Sequence, residues 1–300
     1  MNYYEEIRTE LINNEIYKKV KDYSKNKNDL KTYYNVGKLI VEAQGGEARS
    51  KYGDGLIKEY SKKLQMEVGK MYNSRTLRRI RQFYLLFENW STVSTKITWS
   101  HYSELLSLKD INIINYYIKI TEEENLSVRE LRNKIKNKEY ERLSEETKSK
   151  LIKQEENNII DFVKNPIMIK NNNFEIVTEK ILQKLILEDI SSFLKELGIG
   201  FTFIDSEYKI KIGNNYNYID LLLFNIKYNC YVVVELKVTV LKKEHIGQIQ
   251  VYMNYVDKNL KDIHHNKTIG IIIVKKDNKF ILEYSSDKRI FETTYMIIDK

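Results

Sequence analysis

The segment "YNYIDLLLFNIKYNCYVVVELKV" (216–238) decides how this chain is read. Two apolar runs flank a polar stretch at 226–229, the pattern of a β-hairpin. If those four residues form the loop, Asn225 faces Cys230, Phe224 faces Tyr231, and Asp220 faces Glu235. Directly opposed residues hold their Cβ atoms about 4.5–5.5 Å apart, so two carboxylates there repel unless a cation lies between them. A hard divalent ion such as Mg2+ suits that oxygen pair. Lys237, two residues beyond Glu235, returns to the same face by strand alternation. Residues 221–223 and 231–234 read as strands buried on both sides, and a charged trio among them needs the compensation that metal and substrate supply. The competing reading is a structural ion pair on a half-exposed strand, because Asp…Glu-x-Lys alone is a common spacing.

Upstream, "FEIVTEKILQKLILEDISSFLKELG" (174–198) reads as one helix, with Ile181, Leu185, Ile186, Ile190 and Leu194 inward and Gly198 as its cap. Strands are expected near 200–205, 207–212, 216–225, 230–239, 268–275, 279–284 and 294–298, with a helix at about 244–260. The resulting order is αβββαβ with extras. The N-terminal half instead shows long 3.6-residue apolar periodicity. Charge divides the same way: of the formal net charge of +8, residues 1–150 carry +7 and residues 151–300 carry +1. The polar stretch 144–158, followed by the only proline, places the join near 155, which gives domains at 1–155 and 156–300 of an α+β protein. One cysteine permits no internal disulfide, and no Cys/His cluster has zinc-finger spacing. With no leader-like start and no long apolar run, the expected compartment is the cytoplasm, without membrane association. No Gly-rich phosphate loop or nucleophile elbow is present, so no nucleotide cofactor is expected. The basic excess points to a polyanion, although a composition rich in Asn, Ile, Lys and Tyr weakens that pointer.

In the basic half, "LIKEYSKKLQMEVGKMYNSRTLRRIRQFYLLF" (56–87) reads as helix, turn, helix, with Asn73 or Ser74 capping the second. Leu77, Ile80, Tyr84 and Phe87 form its expected buried stripe. That leaves Arg75, Arg78, Arg79 and Gln82 outward, with Arg81 to one side. Such a helix after a short turn is how helix-turn-helix domains enter a major groove, and Arg and Gln suit guanine and adenine edges. A solvated basic face is the plainer alternative.

The hairpin residues and the αβββαβ order resemble the PD-(D/E)XK nuclease superfamily, whose Asp and Glu-x-Lys positions are here Asp220, Glu235 and Lys237. The similarity is closer to the YhcG-like branch, through "TWSHYSELL" (98–106), "LSVRELRNKI" (126–135), "YERL" (140–143), "ELGIGFTFI" (196–204), "YIDLLLF" (218–224), "VVVELKV" (232–238) and "GQIQVYMNYVD" (247–257). It covers about residues 15–285. The resemblance implies an all-α N-terminal domain containing a helix-turn-helix and a C-terminal restriction-endonuclease-like core. It also implies a Mg2+- or Mn2+-dependent endonuclease acting on DNA and leaving a 5′-phosphate. Asp220, Glu235 and the carbonyl of Leu236 would hold the metal, Lys237 would polarise water, and Gln248, with Tyr252 one turn on, would face the site. An acid is implied on the first core helix, where this chain has Gln183, with Glu179 one turn earlier. That departure keeps a non-catalytic DNA-binding or assembly protein open as an alternative, and a protein-interaction scaffold as a third. Duplex cutters often work as dimers, so a homodimer is open to this chain. His101 reads as a core residue beside Trp99, His264 and His265 as loop residues, and His245 as a helix cap. Tyr216 and Tyr218 lie near the carboxylates and are candidates for base contacts.

Overall fold

The computed structural model describes residues 2–19, 25–46, 54–87, 89–153, 155–156, 158–171, 178–278, 281 and 287–299. It divides into two compact units, Met1–Tyr140 and Glu141–Lys300. The division falls ahead of the expected join near 155 because the segment after Tyr140 is tied into the second unit. There Arg142 donates to Glu196 and to the Pro166 carbonyl, and Lys150 pairs with Asp161 at 3.1 Å.

The first unit is helical: α1 (Tyr3–Lys19), α2 (Lys25–Ala43), α3 (Asp54–Glu67), α4 (Ser74–Leu86), α5 (Trp99–Leu105), α6 (Ile111–Glu124) and α7 (Val128–Lys136). Asn73 starts α4 by accepting from Thr76 N at 3.1 Å. Leu77, Ile80 and Phe83 are its fully buried residues, and Phe83 meets Tyr102 and Trp99 at centroid distances of 4.9 and 5.5 Å. The expected stripe is therefore corrected at one position: Phe83 takes the core place given to Tyr84, which packs half-exposed on Tyr34. Both lie at the rim of the apolar arc, and the ring without a hydroxyl goes inside. His101 is also corrected. It caps α5 through Thr98 and bonds the Leu126 carbonyl with its other nitrogen.

In the second unit, α8 (Glu145–Lys153), β1 (Ile167–Lys170), α9 (Glu179–Glu188), α10 (Ile190–Leu197), β2 (Phe201–Ile212), β3 (Asn215–Asn225), β4 (Cys230–Val240), α11 (Lys243–Asn259), β5 (Ile269–Lys276) and β6 (Ile290–Ile298) follow in order. The strands form one sheet, β1-β6-β5-β4-β3-β2, antiparallel across β2–β3–β4 and parallel across β4–β5–β6–β1. Val232, Val234 and Leu236 meet α9 and α10 on one face, while Val233 meets Ile249, Met253 and Val256 of α11 on the other. This buried-on-both-sides β4 is why its sequence is a near-continuous apolar run.

Several expectations change here. The helix at 174–198 is two helices, because Asp189 leaves helical geometry and accepts from Ser192 N to start α10; its residues 174–177 lie outside the described residues. Ile181 is exposed and Leu182 buried. The strands at 200–205 and 207–212 are one strand with a bulge between Phe203 and Asp205. The strand near 279–284 lies outside the described residues apart from Ile281, which is helical. Strand β1 was not anticipated, and β6 begins earlier than the expected 294. No helix among the described residues is long and apolar enough to cross a membrane.

Candidate active site

The pairing of β3 with β4 places Asn225 opposite Cys230, Phe224 opposite Tyr231 and Leu221 opposite Val234. One more step of that register brings Asp220 beside Glu235, but the main-chain ladder has already stopped. A side chain continues it: Leu236 N donates to Asp220 Oδ2 at 2.7 Å. The cause is a slip in alternation. Ile219 packs with the α11-side core and Leu221, two residues on, with the α9–α10 side. On β2, Glu207 faces this step with a left-handed φ of 51°. A slip of this kind re-aims a side chain, here into the opening seam.

Glu235 is 1% exposed and Lys237 8%. Lys237 Nζ lies 3.4 Å from Glu235 Oε2 and 3.4 Å from Glu179 Oε2 at the start of α9. Glu235 Oε1 is buried without a hydrogen-bond partner. Burial, then the Asp220 charge, push the Glu235 carboxyl up to about 8. Asp220 is also raised, by burial, against the opposing pull of the Leu236 amide and Lys237. Burial works against the Lys237 ammonium, but Glu235, Asp220 and Glu179 outweigh it and hold its pKa above the ordinary lysine value. Two carboxylates that resist ionisation and an orphaned buried oxygen are a donor set that a divalent cation would fit. The donors are hard oxygens, which fits Mg2+ or Mn2+. Among the described residues no group of three His, Cys, Asp or Glu side chains is placed to hold a metal ion. Main-chain oxygen, water and substrate are thus left to complete any such shell.

The remaining sequence candidates divide between two roles. Gln183 is buried and donates to the Asp220 carbonyl at 2.8 Å, so it braces the strand. The carboxylate of α9 that reaches the trio is that of Glu179, through Lys237. On α11, Gln248 Nε2 donates to Tyr252 OH at 3.1 Å, and the buried Tyr252 phenol is raised by desolvation and by the Glu235 and Asp220 charges. His245 accepts from Lys242 N as a cap, and its pKa is lowered by burial and by Lys237. Glu207, whose charge also bears on Asp220, was not anticipated, because it stands in no motif.

In the helical unit, Arg75, Arg78 and Gln82 are exposed and Arg79 and Arg81 half-buried. Two of these are held by their own chain: Arg81 Nε donates to Gln44 Oε1 at 2.6 Å, and Gln82 Nε2 to the Leu106 carbonyl at 2.6 Å.

Comparison with known proteins agrees with this division. Residues 160–299 match the YhcG PDDEXK nuclease domain, and residues 9–142 match the DUF1016 N-terminal domain. The Escherichia coli (strain K12) protein named "Putative nuclease YhcG" is 29% identical over 282 residues, spanning 81% of this chain and 75% of that one. Among solved structures, a repair endonuclease from Pyrococcus abyssi matches 43% of this chain and 50% of its own, at 17% identity and a TM-score of 0.29. EndoMS in its dsDNA2 complex matches 43% and 49%, at 18% identity and a TM-score of 0.28. The chain therefore spans about half the length of those solved relatives. A DUF1016 N-terminal domain followed by a PDDEXK nuclease domain makes this chain a member of the YhcG-like nuclease family.

Proposed function

We propose that the second unit hydrolyses DNA phosphodiester bonds with Mg2+ or Mn2+ and that the helical unit docks the DNA, in the cytoplasm. The observation that carries this reading is the buried, unpartnered Glu235 Oε1, which the register brings beside Asp220 one step past the last main-chain pair, with Lys237 alongside. Asp220, Glu235 and the Leu236 carbonyl would hold the metal. When bound, it supplies charge neutralisation at the phosphate and acidifies the attacking water. Lys237, kept protonated by three carboxylates, donates to that water or to a phosphate oxygen. Gln248 turns its amide toward Tyr252 and offers its carbonyl oxygen to orient the water. Glu179 steadies Lys237 and Gln183 steadies the Asp220 main chain.

For docking, Arg75, Arg78 and Arg79 of α4 would contact phosphates, with Arg81 and Gln82 held nearby by their own chain. Phosphate contacts of this kind position a duplex and make binding salt-dependent. A homodimer would bring one such site to each strand. The test is cleavage of linear, supercoiled, single-stranded and branched DNA with Mg2+ or Mn2+, wild type beside Glu235→Ala. Metal-dependent cutting lost in the variant is the expected result. A folded wild type that shifts DNA and cuts none of these forms would refute the catalytic reading in favour of a binding or assembly protein.

A further inference from the structure

Because the β3–β4 ladder ends at Leu221, residues 215–219 of β3 pair, among the described residues, with β2 alone. They form a two-stranded arm at the end of the sheet that carries the carboxylates. One face of the arm sends Tyr208, Ile210, Ile212 and Ile219 into the α11-side core. The opposite face carries Lys209 across from Tyr218 and Lys211 across from Tyr216. Tyr216 is 56% exposed and Tyr218 51%. Lys209 Nζ lies 3.9 Å from the Tyr216 ring centre and Lys211 Nζ 5.9 Å. Two half-exposed aromatic rings fringed by ammonium groups add nothing to the core. They do match the stacking surface and backbone clamp that single-stranded nucleic acid requires.

Stacking on the exposed rings depends on an open base face, which distinguishes the forms of DNA. A strand rises about 3.4 Å per residue, so Tyr218 and Tyr216 stand roughly 7 and 14 Å along it from Asp220. Bases in a duplex succeed one another at about 3.4 Å per step. In a duplex each interior base is covered on both faces by its neighbours, whereas an unpaired, splayed base presents an open face to rings such as these. Glu207, two residues before Lys209, stands at the Asp220 end of the arm.

We propose that this face of the β2–β3 arm is the platform for an unpaired DNA strand, with Tyr218 and Tyr216 stacking its bases and Lys209 and Lys211 holding its phosphates. On the nuclease reading above, on which this rests, the substrate class is DNA with a single-stranded tail, flap or junction arm. The test uses the full chain in EDTA, where no cutting occurs, and fluorescence anisotropy with labelled oligothymidylate or a blunt duplex of equal length. The Tyr216→Ala/Tyr218→Ala variant should bind oligothymidylate about 30-fold more weakly, with the duplex changed less than about threefold. Tyr216→Phe/Tyr218→Phe should stay within about threefold of wild type on both, since the ring and not the hydroxyl does the stacking. Lys209→Ala/Lys211→Ala should flatten the salt dependence of oligothymidylate binding. Unchanged oligothymidylate affinity in the Ala variant, or an equal loss on the duplex, would overturn the proposal. The binding measurement is independent of catalysis: a wild type that cuts nothing with Mg2+ or Mn2+ sinks the nuclease reading and leaves the arm's result standing.

Discussion

Replacing Glu235 by Gln should make the metal-free protein more stable at pH 8. The Glu235 carboxyl is 1% exposed, and one of its oxygens has no partner. Burial and the neighbouring Asp220 raise it from an ordinary 4.5 to about 8. Between those values the folded chain keeps a proton that the unfolded chain has released. Stability from this group is therefore complete below pH 4.5 and drains away as pH rises through about 8. Each pH unit in that window is worth about 1.4 kcal/mol, which sets a ceiling of about 5 kcal/mol. Water entry and relaxation around a buried carboxylate reduce this, and about 2–4 kcal/mol is the expected difference at pH 8. For a unit of this size that is about 5–10 °C in melting temperature. Gln has nearly the same shape and no proton to lose, so its curve should lack this slope. The assay is thermal unfolding by circular dichroism in EDTA at pH 5, 6.5 and 8 for wild type and Glu235→Gln. A difference that does not change with pH, or a Gln variant less stable at pH 8, would refute the reasoning. Added Mn2+ should then raise the wild-type midpoint and leave the variant's nearly still.

Three further outcomes follow from other parts of the molecule. Arg75→Glu/Arg78→Glu/Arg79→Glu should weaken duplex binding and reduce the slope of log K against log salt by about 0.9 for each phosphate no longer neutralised, read from gel shifts between 50 and 200 mM salt. Arg142→Ala strands Glu196, which is 16% exposed, and should cost about 3–5 kcal/mol in urea unfolding of the second unit. Gly270→Ala puts a Cβ 2.7 Å from Met253 Sδ and 2.8 Å from Ile249 Cδ1, so these two side chains of α11 must repack. A destabilisation of about 1–3 kcal/mol is expected, measured by the same unfolding curves.

The hairpin was legible because its loop length sets a register and the register sets which residues meet: one relation, local in sequence, places Asp220, Glu235 and Lys237. Long-range partners were not legible in this way. β1 is four residues long and pairs in parallel with β6, far along the chain, so no local pattern announces it. The break at Asp189 was hidden by an apolar periodicity that continues across it, although Asp followed by Ser three residues later is a cap pattern. Glu179 could be named only as an alternative to Gln183, since its contact with Lys237 depends on where α9 is set down against β4. On α4, the outward arc was readable from the helical period, but the bonds from Arg81 to Gln44 and from Gln82 to Leu106 come from other elements of the fold.

Asp220 closes the seam between β3 and β4 by standing in for a main-chain acceptor. The two carboxylates are thus held in place by opposite pressures. Removing Asp220 unzips a strand end, so inactivity in an Asp220 variant mixes damaged chemistry with damaged architecture. Removing the Glu235 charge relieves the fold. In a lineage no longer needing to cut, selection for folding alone would keep Asp220 and let Glu235 drift, so the residue at 235 reports on retained chemistry and the one at 220 on a retained sheet.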